Sequence, residues 1–148
     1  MGARGTASHE GTEAMMNATK TLLTSAVLGA VVLAGCSSNG AALETVSPNV
    51  AATLITEETD EIILDIRTPE EFNEGIIEGA INIDFHAPAF LDELDALDKN
   101  VHYVVYCRSG NRSGQAMGTF ADLGFANITE IDGGIANWYN TGHEVVLP

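Results

Sequence analysis

Val101 to Tyr106 (VHYVVY) is an almost uninterrupted run of apolar, β-branched and aromatic residues, and Cys107-Arg108-Ser109-Gly110-Asn111-Arg112 follows it at once. A strand without polar alternation has both faces covered, which is the condition of a strand inside a parallel sheet. Ile62-Ile63-Leu64-Asp65-Ile66 has the same character, and Ile128 to Ile131 and Ala80 to Ile83 are shorter examples. Between these runs the pattern turns helical. Thr68-Pro69-Glu70-Glu71-Phe72 supplies an N-cap, a proline at the first helical position and acids in the first turn. Phe90, Leu91, Leu94 and Leu97 recur at helical spacing and are expected to share one buried face. Ser113 to Leu123 reads as a helix stopped by Gly124, Ile135 to Thr141 as a shorter one, and Ser47-Pro48 as the start of an earlier helix through Leu54. Val145 to Leu147 is expected to close an edge strand. Strands alternating with helices predict a three-layer α/β domain with a mainly parallel central sheet. In such a sheet ligands bind beyond the carboxyl ends of the strands. Tyr106-Cys107 is one such end.

Composition narrows the function. The 148 residues hold 6 Lys plus Arg against 21 Asp plus Glu, a net charge of -15. Nucleic-acid phosphates would be repelled by such a chain, so nucleic-acid binding is excluded. From Leu22 to Ala34 thirteen residues carry no charge; Lys20 precedes them and Gly35-Cys36 follows. The stretch is too short to span a bilayer and has the layout of a secretory signal. Leu33-Ala34-Gly35-Cys36 resembles the lipobox of bacterial lipoproteins, which implies a lipid on Cys36 and cleavage before it. The expected organisation is therefore a leader and signal at 1–35, a flexible tether at 36–43 and a domain at 44–148. The acidic start of the leader (Glu10, Glu13) points to Met15 or Met16, rather than Met1, as the first residue of the signal. This places a monomeric domain outside the cytoplasm, held at a membrane through Cys36. Cys107 is then the one thiol left unmodified, in a compartment where structural cysteines come in pairs.

The loop after the strongest strand carries the chemistry. Arg108 and Arg112 are two of only four basic residues from Cys36 onward, against 19 acids there. Backbone amides of a tight turn and of the first helical turn form an anion site, and a thiolate placed in it is stabilised. Gly110 allows a positive φ at the crown, and Asn111 tolerates the left-handed region.

Four segments in order resemble the single-domain rhodanese (sulfurtransferase) family over roughly Glu44 to Pro148. They are Leu64-Asp65-Ile66-Arg67 with Glu70-Glu71-Phe72; Gly79-Ala80-Ile81-Asn82-Ile83; Cys107 to Arg112; and Asp132-Gly133-Gly134-Ile135-Ala136-Asn137-Trp138 with Gly142. Gly75-Ile76-Ile77-Glu78 departs from the family's usual G-H-I-P, a structural segment. The resemblance implies a sulfurtransferase acting on small-molecule donors and acceptors. The Cys107 thiolate would take the outer sulfur of a donor such as thiosulfate, release sulfite, hold a persulfide, and pass the sulfur to cyanide or a thiol. Arg108, Ser109, Gly110, Asn111 and Arg112 would bind the donor and the anionic intermediate. A thiol of low pKa needs no general base, and no Cys-His-Asp arrangement is evident in the sequence. Related phosphatases and arsenate reductases use Cys-x5-Arg, and the Cys107-x4-Arg112 spacing favours sulfur over phosphate chemistry. A non-enzymatic rhodanese module that carries sulfur or binds a partner is the remaining alternative. Asp65 is expected to support the loop, and Arg67 to pair with Glu70 or Glu71. His86 could line the pocket mouth, but a solvated loop position suits it better. His102 and His143 form no metal-ligand spacing, so neither a metal nor a cofactor is expected.

Overall fold

The computed structural model of the chain describes residues 42–57 and 60–148. The leader, Cys36 and the tether up to residue 41 lie outside the described residues. Among the described residues, no helix is long and apolar enough to cross a membrane.

The elements run β1 (Ala42–Val46), α1 (Pro48–Glu57), β2 (Ile62–Asp65), α2 (Pro69–Asn73), β3 (Ile81–Asn82), α3 (Phe90–Asp95), β4 (His102–Tyr106), α4 (Asn111–Asp122), β5 (Asn127–Ile131) and α5 (Gly134–Asn140). The strands form one parallel five-stranded sheet in the order β1-β5-β4-β2-β3. β4 is central because its residues alternate between two apolar layers. Tyr103, Val105 and Cys107 join Leu64, Phe90, Leu94, Ala116, Phe120 and Ile128 on the α3/α4 face. Val104 and Tyr106 join Ala51, Ile63, Ile131, Ile135 and Trp138 on the α1/α5 face. The three-layer α/β architecture expected from the alternating pattern is present.

The differences have local causes. The chain is already a strand at Ala42, because β1 pairs with β5 from Ala42 opposite Asn127 to Val46 opposite Ile131. Residues 42 and 43 therefore belong to the sheet and not to a tether. α4 opens at Asn111, two residues before the expected Ser113, because Gly110 adopts the left-handed conformation as its N-cap. Val145 to Leu147 forms no strand; a single antiparallel bridge joins Val146 to Ile76. In α3 only Phe90 and Leu94 are buried while Leu91 is 56% exposed. At 100° per residue, Leu91 sits on the flank of a helix too short to bury more than one stripe.

That last difference is testable by urea denaturation. Leu94→Ala is expected to cost about 2–5 kcal/mol through the cavity it leaves. Leu91→Ala is expected to stay within about 0.5 kcal/mol of wild type.

Candidate active site

Cys107 follows the last residue of β4 and is fully buried. A buried sulfur can ionise only where donors replace water, and the loop supplies them. Gly110 turns the chain with φ 83°, where a side chain would cost about 1–2 kcal/mol. The backbone amides of Ser109, Arg112 and Ser113 then donate toward the sulfur, and the Ser113 hydroxyl lies 3.4 Å from it. Burial pushes the thiol pKa up, but the Ser113 hydroxyl and these amides outweigh it, and the net shift from the ordinary thiol value is downward.

The loop carbonyls must face away for the amides to face in, and α5 takes them. Ile135 N donates to Cys107 O at 2.9 Å and Ala136 N to Arg108 O at 3.1 Å. So close an approach requires glycine. A Cβ on Gly134, whose φ is 60°, would collide with the Cys107 carbonyl oxygen. The Gly133-Gly134 pair thus clamps the back of the loop.

The two loop arginines have different surroundings. Arg112 makes a bidentate pair with Glu71, Nη1 to Oε2 at 2.7 Å and Nη2 to Oε1 at 2.9 Å. Its bonds to Glu71 raise its pKa, partial burial opposes them, and Cys107 adds to the rise. Arg112 is therefore a cation held in place between Glu71 and the thiol. Arg108 is exposed on the wall of an adjoining cleft of ≈310 Å³, with Glu74, Ile135, Ala136, Tyr139 and Val145 among the other lining residues. Arg67, Lys99 and Arg112 each pair with a carboxylate. Among the described residues Arg108 is the basic side chain left without one.

Other expectations need correction. Arg67 pairs with neither Glu70 nor Glu71. It is buried against Asp65, with Nη2 to Oδ2 at 2.6 Å, and donates to Gly75 O at 2.7 Å. Asp65 accepts from both the side chain and the backbone N–H of Arg67, so it braces that segment rather than the loop. Glu71 instead closes the α2 capping box with Thr68 and then reaches Arg112. Asn111 is the first helical residue of α4, and its side-chain oxygen accepts from Gln115 at 2.8 Å. Exposed Ser109 and half-buried Gly110 contribute backbone at the rim. His86 is exposed and stacks edge-on against Phe85, 5.3 Å between ring centroids. Among the described residues no group of three or more His, Cys, Asp or Glu is placed to hold a metal ion.

Two participants were missed in the sequence: Ser113, which reads there only as a helix start, and Glu130. Glu130 on β5 is buried, 6% exposed, and its Oε1 accepts from the Ser113 hydroxyl at 2.6 Å. A carboxylate inside the apolar run Ile128-Thr129-Glu130-Ile131 was the available signal, since unpaired acids are rarely buried.

The Glu71–Arg112 pair gives a pH prediction. Arg112 holds the Glu71 carboxyl at about 2, below its ordinary 4.5. Between these values the unfolded chain binds more protons than the folded one, so stability falls as the pH drops through this window. Glu71→Gln should be less stable than wild type at pH 6 and should lose less on going from pH 5 to pH 2, measured by urea denaturation.

Comparison with known proteins agrees with this geometry. Residues 47–141 match the rhodanese-like domain family. A sulfurtransferase of Allochromatium vinosum is 35% identical over 95 residues, which cover 64% of this chain and 86% of that one. A thiosulfate sulfurtransferase of Pseudomonas entomophila is 34% identical over 96 residues, covering 65% and 84%. A crystal structure of a rhodanese-related protein from Thermoplasma volcanium superposes with a TM-score of 0.63 at 30% identity, covering 71% of this chain and 99% of that one. With its fold, its cysteine loop and these relatives in agreement, the chain belongs to the rhodanese-like domain family.

Proposed function

We propose that this domain moves a sulfane sulfur from thiosulfate, or a donor of the same kind, to cyanide or a thiol through a persulfide on Cys107. The observation that carries the proposal is a buried thiol whose pKa is lowered by the Ser113 hydroxyl and by the amides of Ser109, Arg112 and Ser113 against the opposing effect of burial. In the first half-reaction the thiolate attacks the outer sulfur of thiosulfate. A bond forms between Cys107 Sγ and that sulfur, the S–S bond of thiosulfate breaks, and sulfite leaves with the bonding pair. The acceptor then attacks the outer sulfur of the persulfide. With cyanide the products are thiocyanate and the regenerated thiolate. Arg108, without a carboxylate partner and set in the cleft wall, meets the sulfonate end of the donor. Arg112, already bound through both Nη atoms by Glu71, supplies a fixed positive charge beside the sulfur. The spacing Cys107-x4-Arg112 supports sulfur transfer over phosphate hydrolysis, and p-nitrophenyl phosphate turnover is the control that separates them.

Thiocyanate formation from thiosulfate and cyanide measures the activity. Cys107→Ser should abolish it without unfolding the domain, because the hydroxyl has the size of the thiol but not its nucleophilicity. Arg108→Ala should raise the half-saturating thiosulfate concentration by about tenfold, the lower end expected for a contact to a charged group on an exposed side chain.

We further propose that the domain works outside the cytoplasm, tethered by a lipid on Cys36. The support is the sequence from Lys20 to Cys36, with its short apolar stretch and Leu-Ala-Gly-Cys ending. Two or more acyl chains anchor a protein stably, each buried CH₂ contributing about 0.8 kcal/mol. The wild-type protein should fractionate with membranes and take up a labelled fatty acid. Cys36→Ala should do neither and should keep its amino-terminal segment, as read by intact mass.

A further inference from the structure

The Ser113 hydroxyl has one proton and two neighbours that would accept it. Cys107 Sγ lies 3.4 Å away and Glu130 Oε1 2.6 Å away. Both contacts are hydrogen bonds only if a second proton sits on the thiol or on the carboxyl. In one arrangement the Cys107 S–H donates to Ser113 Oγ while Ser113 donates to the Glu130 carboxylate. In the other, the Glu130 carboxyl donates to Ser113 and Ser113 donates to the Cys107 thiolate. The two differ by the displacement of two protons along one row of three side chains.

The row is built and enclosed. Cys107 and Ser113 are fully buried and Glu130 is 6% exposed. Two strands of the sheet and one helix hold them: β4 leads into Cys107, α4 brings Ser113 over it, and β5 carries Glu130 on the same face. The second carboxylate oxygen, Oε2, accepts from Thr45 Oγ1 on β1 at 2.9 Å. The residues facing Glu130 are Thr45 on β1, Val105 on β4, and Ser113 and Gly114 on α4. Among the described residues its hydrogen bonds come from hydroxyls, and no basic side chain pairs with it. The cation beside the sulfur is Arg112, which is bound to Glu71.

We propose that Glu130 receives the Cys107 proton through Ser113, so that the thiol ionises by an internal transfer rather than by losing a proton to water. The S–H bond breaks, its proton bonds to Ser113 Oγ, and the proton Ser113 held passes to Glu130 Oε1. No further reactant is needed. Glu130 is a positioning residue here, acting on the sulfur only through Ser113. The proposal rests on Cys107 being the nucleophile, and it gives that residue the proton acceptor that the sequence did not reveal.

The test is the pH dependence of Cys107 alkylation by iodoacetamide in the full chain, followed on the Cys107 peptide by mass spectrometry. A carboxylate that were only a nearby anion would oppose the thiolate, so Glu130→Gln would speed alkylation. A proton acceptor predicts the reverse. Glu130→Gln should alkylate about tenfold more slowly at pH 7, with the midpoint about one pH unit higher. Ser113→Ala should move in the same direction, and the double variant should be no slower than the slower single, because both break one path. An unchanged or faster rate in Glu130→Gln overturns the proposal, even if Ser113→Ala is slow. If Glu130→Gln does not fold, infrared spectra of wild type at neutral pH decide. A protonated-carboxyl band that disappears in Ser113→Ala supports the transfer, and its absence from wild type refutes it. Persulfide formation from thiosulfate by wild type is measured alongside: its failure would remove the sulfurtransferase reading, while the alkylation profiles would still decide on Glu130.

Discussion

A sulfur anion shut away from water is tolerable only if the protein replaces the hydration it loses, and the architecture around β4 follows from that requirement. The replacement donors are mainly backbone N–H groups, which cannot be supplied by a side-chain substitution and must be aimed by the path of the chain. Gly110 sets that path by adopting φ 83° at the start of α4. The carbonyls turned outward by the same path are held by the first amides of α5, at Cys107 O and Arg108 O. The sheet fixes the origin of the loop, α4 its front and α5 its back. Each of these elements is itself held by one of the two apolar layers.

Charge is distributed to serve the same point. A domain with four basic residues among nineteen acids from Cys36 onward has few cations to place. One of them, Arg112, is fixed by both oxygens of Glu71 next to the sulfur. Glu71 can do this because the capping box at Thr68 has already set its side chain at the start of α2. A helix cap thus orients a carboxylate, which orients a cation, which faces the thiol. Among the described residues Arg108 has no carboxylate partner and stands on the wall of the adjoining cleft. Arg67, by contrast, is sealed against Asp65 and Gly75 O and serves the fold.

The parallel sheet and the cysteine loop were legible in the sequence because their signals are local. An unbroken apolar strand, a glycine where the chain must turn and two arginines within six residues all lie between Val101 and Arg112. What was not legible depends on pairs distant in the chain. Arg112 and Glu71 are 41 residues apart, and Ser113 and Glu130 are 17 apart on different elements. Neighbouring charges invited the pairing of Arg67 with Glu70 or Glu71, yet the buried Asp65 only two residues away prevailed. β1 was hidden because Ala42-Leu43-Glu44-Thr45-Val46 has little strand character of its own and is held as an edge by β5.

The claim on which the rest stands is that Cys107 carries the transferred sulfur. Its most direct test is mass spectrometry of the full chain after brief exposure to thiosulfate, with the added mass located by peptide mapping. The account predicts one added sulfur on Cys107, removed by cyanide and absent from Cys107→Ser. A chain that gains no sulfur, or gains it at another residue with Cys107 unmodified, would contradict it.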